Sequence, residues 1–496
     1  MVAYLAVLVV SVTSAVAAPF RPLCADHSCK GYVAVDAEGA PLHFATPMGF
    51  TAPQLQAMYG VDPSLGDGLT IAVIDAFGYE DLESDLATYR AQFGLPPCTI
   101  ASGCLTILNN AGATAPLLAD SDTGWIGETA LDVQMVSAIC PKCKIVVVQT
   151  DGAGKGLEVG QIVARALAVD TISNSWGGGE SAADLASEGD YNNPGIGTFA
   201  STGDDGFASG AQYPASSAYV VAVGGVSFDG TTTKAWGGAG SGCSTIIQMQ
   251  PWAPQEASCE MRAYADIAAL ADPNTGVAVF NAKQGKWQIV GGTSAASPIA
   301  AAMFAAAGHA DARPEFVYRH RDAFTDVTDG SNGACGPLCD AKAGWDGPTG
   351  IGVPDQAKLL AIGNVAGAGP TVTIGFPRDG ANVTAKFTIQ AVPDPATTAW
   401  VDVEVDGVRV TKLGADPWTT TAPGSLTNGS HVVTVTAYDL DHDSRTATAT
   451  VTLGDATPPD TGICSAGGRP GGLVVIAFAG WFATRRRRRA TAPAMI

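Results

Sequence analysis

Four residues of this 496-residue chain have the types and surroundings for hydrolytic chemistry: Ser294, Glu128, Asp132 and Asp204. Ser294 stands in Gly291-Gly292-Thr293-Ser294-Ala295-Ala296-Ser297-Pro298, a small-residue turn expected to run into an Ala-rich helix over residues 299–308. A serine presented this way is a candidate nucleophile, and it then needs a proton acceptor, an orienting group and an oxyanion stabiliser. Histidine is the usual acceptor, yet no histidine occurs between Phe44 and Gly308. The base must be something else.

Gly127-Glu128-Thr129-Ala130-Leu131-Asp132 offers two carboxylates at i and i+4, adjacent on one face of a helix expected to continue through Ile139. Such pairs are also common on solvated helix faces. Asp204 lies in Ser201-Thr202-Gly203-Asp204-Asp205-Gly206, directly after the apolar Thr198-Phe199-Ala200, where a strand should end. Ligands of open α/β sheets bind beyond the carboxyl ends of strands, so Asp204 can reach such a site. Asp-Asp-Gly is equally a turn-forming sequence by itself.

The elements that must position these residues are legible as apolar runs separated by Ala-rich stretches between about Thr51 and Ile362. Leu69–Asp75, Lys144–Gln149 and Tyr219–Gly224 are β-branched and continuously apolar, the pattern of parallel strands buried on both faces. After the Gly-rich linker 363–370 the pattern changes to period-two alternation. Trp400–Val410 reads as two strands around an Asp406-Gly407 turn and His431–Tyr438 as another, so residues 371–453 look like a small all-β immunoglobulin-type sandwich.

Composition sets the outer limits. Hydrophobic residues make up 46% of the chain and charged residues 15%, which fits a well-buried globular protein and not a disordered one. A net charge of −20 argues against a nucleic-acid partner, because that affinity comes from clustered Lys and Arg. Residues 1–18 read as a signal peptide ending in Ala15-Val16-Ala17-Ala18, with a short segment 19–45 behind it. Ten of the eleven cysteines fall into close pairs: Cys24/Cys29, Cys98/Cys104, Cys140/Cys143, Cys243/Cys259 and Cys335/Cys339. Local disulfides in an oxidising compartment are the expectation, with zinc at Cys140-Pro141-Lys142-Cys143 as the competing reading.

Several separated motifs, taken in order, resemble the sedolisin family, the serine-carboxyl peptidases, over about residues 46–360. They are Thr46-Pro47 with Leu55 and Tyr59-Gly60, Glu128 with Asp132, Ser173-Asn174-Ser175-Trp176-Gly177, Ser201-Thr202-Gly203-Asp204, Ala271-Asp272-Pro273-Asn274-Thr275-Gly276, and Gly292-Thr293-Ser294. The resemblance implies a subtilisin-like, doubly wound parallel sheet over residues 46–362, with Ser294 as nucleophile, Glu128 as general base and Asp132 orienting it. Asp204 then takes the place of a neutral oxyanion donor. An aspartate donates a hydrogen bond only while protonated, so an acidic working pH follows. The activity implied is endopeptidase cleavage of protein or peptide substrates by a monomer.

Asp326-Val327-Thr328, Lys342-Ala343-Gly344-Trp345-Asp346 and Thr349–Gly352 carry two carboxylates on Gly-rich loops, a donor set suited to a hard cation. This resembles the family's calcium site, which implies one structural Ca2+ held by Asp326 and Asp346 with carbonyl oxygens of Val327, Lys342 and Gly344. Lys342 stands where the family usually has glycine. In the tail 454–496, Cys464 precedes the short apolar run Leu473–Ala483 and the cluster Arg485–Arg489. It resembles the myxobacterial C-terminal sorting tail, which implies a secreted protein held at the cell surface or outer membrane. A weak transmembrane anchor is the alternative for the same residues.

The resemblance departs in one respect: only about thirty residues separate the signal peptide from the start of the matching region, where the family usually carries a long prodomain. The rival to a peptidase is a catalytically silent surface adhesion or binding protein working through its β-sandwich. Ordinary subtilase chemistry lacks a histidine, and Asp75 reads as a strand-end turn residue. A nucleotide-binding α/β protein lacks a phosphate-binding Gly-rich loop.

Overall fold

The computed structural model describes residues 19–120, 124–254, 259–363 and 366–454. Residues 1–18, read as a signal peptide, and the tail with Cys464 therefore lie outside the described residues. The described residues, which end at Gly454, make one compact unit.

The central sheet runs in the order Thr233–Ala235, Val221–Phe228, Gly197–Ser201, Thr171–Asn174, Thr70–Ala76, Lys144–Thr150, Leu105–Leu108, and Ile267–Leu270 also pairs with Val221–Phe228. All these pairings are parallel except that of the edge strand Thr233–Ala235. Ile71, Ala72, Val73 and Ile74 are all fully buried, so successive side chains find apolar neighbours on both faces. That is why the sequence of this strand shows no alternation.

Two helices bring the acid and the serine together. Every residue of Trp125–Ile139 is buried, and the helix packs against the helix Thr293–Ala306 and the strand Thr70–Ala76. A helix apolar on all sides belongs in a core, and its few polar residues go in with it. Glu128 and Asp132 thus lie on no solvated face; both are fully buried.

The serine helix corrects the expected boundary. It spans Thr293–Ala306, so Ser294 lies in its first turn and not in a turn before it. Pro298 is tolerated close to the helix start, where its missing N–H leaves only the Ser294 carbonyl without its helical partner. The Ser175 hydroxyl donates to that carbonyl at 3.2 Å.

Segment 19–45 is part of the same body. Phe20–Pro22 and Tyr32–Ala34 extend an antiparallel sheet with Lys286–Gly291 and Val277–Asn281. All five close cysteine pairs are disulfides, Cys140–Cys143 included at 2.02 Å, which overturns the zinc alternative.

Beyond the linker, three- and five-stranded sheets form the β-sandwich, with Val401, Val403, Val405, Val433 and Val435 pointing into its core. The linker is pinned, since Gly367 donates to the Ser444 carbonyl at 2.7 Å and accepts from Arg445. Arg409 pairs with Asp170 at 2.7 Å and His442 with Asp311 at 3.0 Å, tying the sandwich to the α/β region. No helix among the described residues is long and apolar enough to cross a membrane.

Candidate active site

Ser294 is fully buried at the start of its helix, where Gly292 caps it at φ 100°, a conformation that favours glycine. Its hydroxyl donates to the Ser175 carbonyl at 3.2 Å. The Glu128 carboxyl lies alongside, close enough for the Ser294 hydroxyl to favour its charged form. Neither Glu128 oxygen has a well-aligned hydrogen bond in this geometry, in which the Ser294 hydroxyl is turned to the Ser175 carbonyl.

Asp132, one helical turn on from Glu128, accepts from the Ser175 hydroxyl at 2.7 Å. The one Ser175 hydroxyl proton is shared between two buried acceptors, the nearer Asp132 carboxyl and, more weakly, the Ser294 carbonyl. Ser175→Ala removes that donor, a loss expected to cost about 1–3 kcal/mol of unfolding free energy. Chemical denaturation of the variant checks this, and a wild-type midpoint would show the contacts to be idle.

Asp204 follows the end of the strand Gly197–Ser201, as read from sequence. Its Oδ1 accepts from the Thr293 backbone N–H at 2.7 Å and from the Thr293 hydroxyl at 2.8 Å. Its Oδ2 is buried with no partner, on the side where a side chain on Gly292 would stand 2.7 Å away. Ser294, Glu128, Asp132 and Asp204 are thus brought to one buried locus. No histidine is among the hydrogen-bond partners of Ser294 or Glu128 within the described residues.

Asp75 corrects the sequence reading. It sits inside the strand Thr70–Ala76, fully buried, with neither carboxyl oxygen in a well-aligned hydrogen bond. It raises the pKa of Glu128 and of Asp132, so it belongs to the same carboxyl cluster and forms no turn. The apolar strand around it was the available signal, because a carboxylate inside such a run has nowhere to go but the core.

Burial dominates the protonation of the cluster, because the charged forms lose their hydration. It pushes Asp204 up to about 7 against the pull of the Thr293 donors and Lys30, and Asp75 to about 7 against Thr129. Burial also holds Glu128 well above the usual carboxylate range; the Ser294 hydroxyl opposes this, while Asp75 and Asp204 add to it. Asp132 is raised by burial and then by Asp75 and Glu128.

Sequence reasoning also missed Lys30, only 6% exposed, whose charge is felt by Asp204 and Glu128. Its carbonyl accepts the Ser294 backbone N–H at 2.8 Å. Lys30 and Trp176 line a cleft of about 640 Å3 with Asp205, Gly177, Gln212 and Tyr213.

The second cluster read from sequence also assembles. Gly344 N–H donates to Asp326 at 2.9 Å, Lys342 N–H to Asp346 at 3.1 Å, and Thr349 to the other Asp346 oxygen. Burial lifts Asp346 to about 6, and Asp326 adds to the rise. The carbonyls of Val327, Lys342 and Gly344 accept no hydrogen bond from another described residue. No group of three or more His, Cys, Asp or Glu side chains suited to a metal occurs among the described residues.

The parallel sheet with its serine helix and buried carboxyl helix defines a subtilisin-like α/β fold, and residues 113–318 match the subtilase family model. Residues 370–435 match the bacterial Ig domain model. More particularly, the chain is similar to kumamolisin of Bacillus sp. (strain MN-32), 29% identical over 363 residues, covering 64% of each protein. It is also similar to sedolisin of Pseudomonas sp. (strain 101), 31% identical over 183 residues, or 32% of this chain and 31% of that one. The chain thus spans less than two thirds of the length of these curated relatives. Among solved structures, Pseudomonas sedolisin, a serine-carboxyl proteinase complexed with two molecules of pseudo-iodotyrostatin, superposes with a TM-score of 0.55 at 23% identity. That match covers 64% of this chain and 98% of that one, and establishes the fold. The α/β region is thus similar to subtilase and sedolisin-type sequences, and the region after it to a bacterial Ig domain.

Proposed function

We propose that the protein is a serine-carboxyl endopeptidase that hydrolyses proteins in acid through Ser294, Glu128 and Asp132. The observation that carries this reading is the convergence of Ser294 with buried carboxyls and no histidine. Ser294 Oγ attacks the scissile carbonyl carbon while Glu128 takes its proton, Glu128 being the member of the carboxyl cluster that carries the negative charge while Asp75 and Asp204 hold their protons. Asp132, held by Ser175, orients Glu128. The developing oxyanion receives the Ser294 N–H and a proton on Asp204 Oδ2. Collapse returns the proton from Glu128 to the leaving nitrogen, and water releases the acyl group by the reverse route. Wild type and Ser294→Ala assayed on denatured protein between about pH 3 and 7 test the reading, and equal hydrolysis by both would sink it.

The cluster around Asp346 fits a structural Ca2+. Two carboxylates that repel each other stand with three unclaimed carbonyl oxygens, an all-oxygen donor set. Asp326 and Asp346 would hold the ion with main-chain oxygens of Val327, Lys342 and Gly344. An ion that binds only the folded chain raises its stability. Chelation of calcium is therefore expected to lower Tm in wild type and to leave an Asp346→Asn variant unchanged. Identical melting of wild type with and without chelator would argue against the ion.

Export through residues 1–18 and surface attachment through the tail accord with the disulfides, which need an oxidising compartment. Detection of the chain on intact cells, beside a truncation at residue 454, tests that placement.

A further inference from the structure

One histidine of the β-sandwich is plugged into the α/β region. His442 lies in the turn between the strands Gly429–Tyr438 and Ser444–Leu453, where the Asp439 carboxyl accepts the backbone N–H groups of Asp441 at 2.9 Å and Asp443 at 3.0 Å. Its φ is 67°, in the left-handed region. Glycine adopts that backbone at least cost, so the turn alone gives no reason for a histidine. The ring is buried, with centroids 4.9 Å from Trp400 of the sandwich and 4.5 and 5.3 Å from His309 and Phe316 of the α/β region.

Both ring nitrogens end on oxygen. Nδ1 stands 3.1 Å from the Gly308 carbonyl and Nε2 3.0 Å from Oδ1 of the buried Asp311. A carbonyl and an ionised carboxylate only accept, and a neutral imidazole has one N–H to give, so only the imidazolium satisfies both contacts. The Gly308 carbonyl closes the far end of the serine helix: Ala307 N–H donates to Met303, Gly308 N–H to Ala305 and His309 N–H to Phe304. A cation is stabilised there by the helix's unpaired carbonyls. Two residues on, the Ala310 carbonyl accepts from the Gly197 N–H at 2.8 Å and the Thr171 hydroxyl at 2.9 Å. His442 therefore grips the segment that joins the serine helix to two strands of the central sheet.

The other charges around it leave it that task. His309 gives Nε2 to the Leu359 carbonyl at 2.8 Å and has no partner on Nδ1; burial, with His442 adding to it, pushes it down to about 4, so it stays neutral beside a charged His442. Asp441 pairs with Arg319 at 3.0 Å and with His320 at 3.1 Å. Arg313 and Glu315 face His442 across a cavity of about 240 Å3, and Arg313 is directed to Asn192 and the Tyr219 ring. On the sandwich side, Asp402 has Lys412 and Arg409 beside it, and Asp439 and Asp443 belong to the turn itself.

We propose that His442 is an acid-set latch: as an imidazolium it bridges the Gly308 carbonyl and Asp311 and fixes the sandwich to the end of the serine helix, and it gives up that grip as pH rises. Loss of its proton leaves one nitrogen lone pair facing an oxygen, so one bond of the pair becomes a repulsion. His320 on Asp441 acts in the same direction, because it too pairs only as a cation. His309 acts oppositely, since it is neutral when docked and gains a charge beside His442 only in strong acid. The latch stands whether or not the chain hydrolyses peptides.

The test uses the full chain carrying Ser294→Ala, which prevents self-digestion, as the parent. Its six histidines, labelled with 15N, are followed by NMR at about pH 5.5 and about pH 8, with His442→Asn assigning the signal; asparagine tolerates the left-handed turn. Both His442 nitrogens are expected to carry protons at the lower pH. Hydrogen exchange, corrected for its intrinsic rate, is read over residues 307–312 and 366–369 relative to the strand Thr70–Ala76, which reports global opening. That relative protection is expected to fall by roughly 10-fold or more between the two pH values in the parent, the worth of one hydrogen bond to a charged group. In His442→Asn and Asp311→Asn it is expected to be low at both. A His442 ring with a single N–H at the lower pH, protection in the parent that does not change with pH, or variants protected as well as the parent at the lower pH would each overturn the inference. Should one variant fail to fold, the other variant and the parent's own histidine signal decide.

Discussion

Glu128→Gln is expected to slow hydrolysis of unfolded protein by about 10²- to 10⁴-fold, the usual contribution of a general base. Gln keeps the shape of the buried side chain but cannot take the Ser294 proton. Because the carboxyl is fully buried and has no well-aligned partner, its replacement removes no hydrogen bond of the fold. Tm near neutral pH is therefore expected to equal or exceed that of wild type, which separates a chemical role from a structural one. A variant that keeps wild-type turnover would remove Glu128 from the mechanism.

The second large effect is on pH. Asp204 can donate to the oxyanion only while protonated, and burial pushes it up to about 7. Activity is expected to fall as pH rises through that value. Asp204→Asn keeps a neutral donor at every pH, so its alkaline limb should move upward relative to its own optimum, even where its maximal rate is lower. Overlapping normalised pH–rate curves for the two proteins would contradict this role.

The same shifts set stability. Asp75 and Asp204, raised from 3.8 to about 7, and Glu128 and Asp132, raised well above their ordinary values, bind protons in the folded chain that the unfolded chain releases near pH 4. Their contribution is complete below the unfolded pKa and is lost as pH rises through the folded one. At about 1.4 kcal/mol per pKa unit, the loss is on the order of several kcal/mol. Tm is therefore expected to fall from about pH 5 to pH 8, and less steeply in Asp75→Asn. Surface carboxyls with lowered pKa, such as Asp229, act with the opposite sign only in stronger acid. A flat Tm over this range would mean that the cluster stays solvated.

Much of the fold was legible because its strands are continuously apolar and its sandwich alternates. Lys144–Thr150 and the pair Trp400–Val405 and Val408–Leu413 form close to where those patterns put them. The burial of Glu128 and Asp132 was not legible from their spacing, which fits a solvated face equally well; the apolar residues around the whole helix circumference decide it. The start of the Ser294 helix was obscured by Pro298, which usually ends a helix yet is tolerated near its beginning. Asp75 was misread because a carboxylate at a strand end normally turns the chain, whereas here neighbouring acids share its burial. The placement of Lys30 was beyond local reading, since it depends on pairing between Tyr32–Ala34 and Lys286–Gly291, more than 250 residues apart.

The most direct test of the account is to trap the covalent intermediate. Enzyme turning over an activated peptide ester is quenched in acid during the burst, and the acylated residue is mapped by mass spectrometry. The account predicts the acyl group on Ser294 in wild type, and its slower formation in Glu128→Gln. Acylation of another residue, or turnover with Ser294 unmodified throughout the burst, would contradict it.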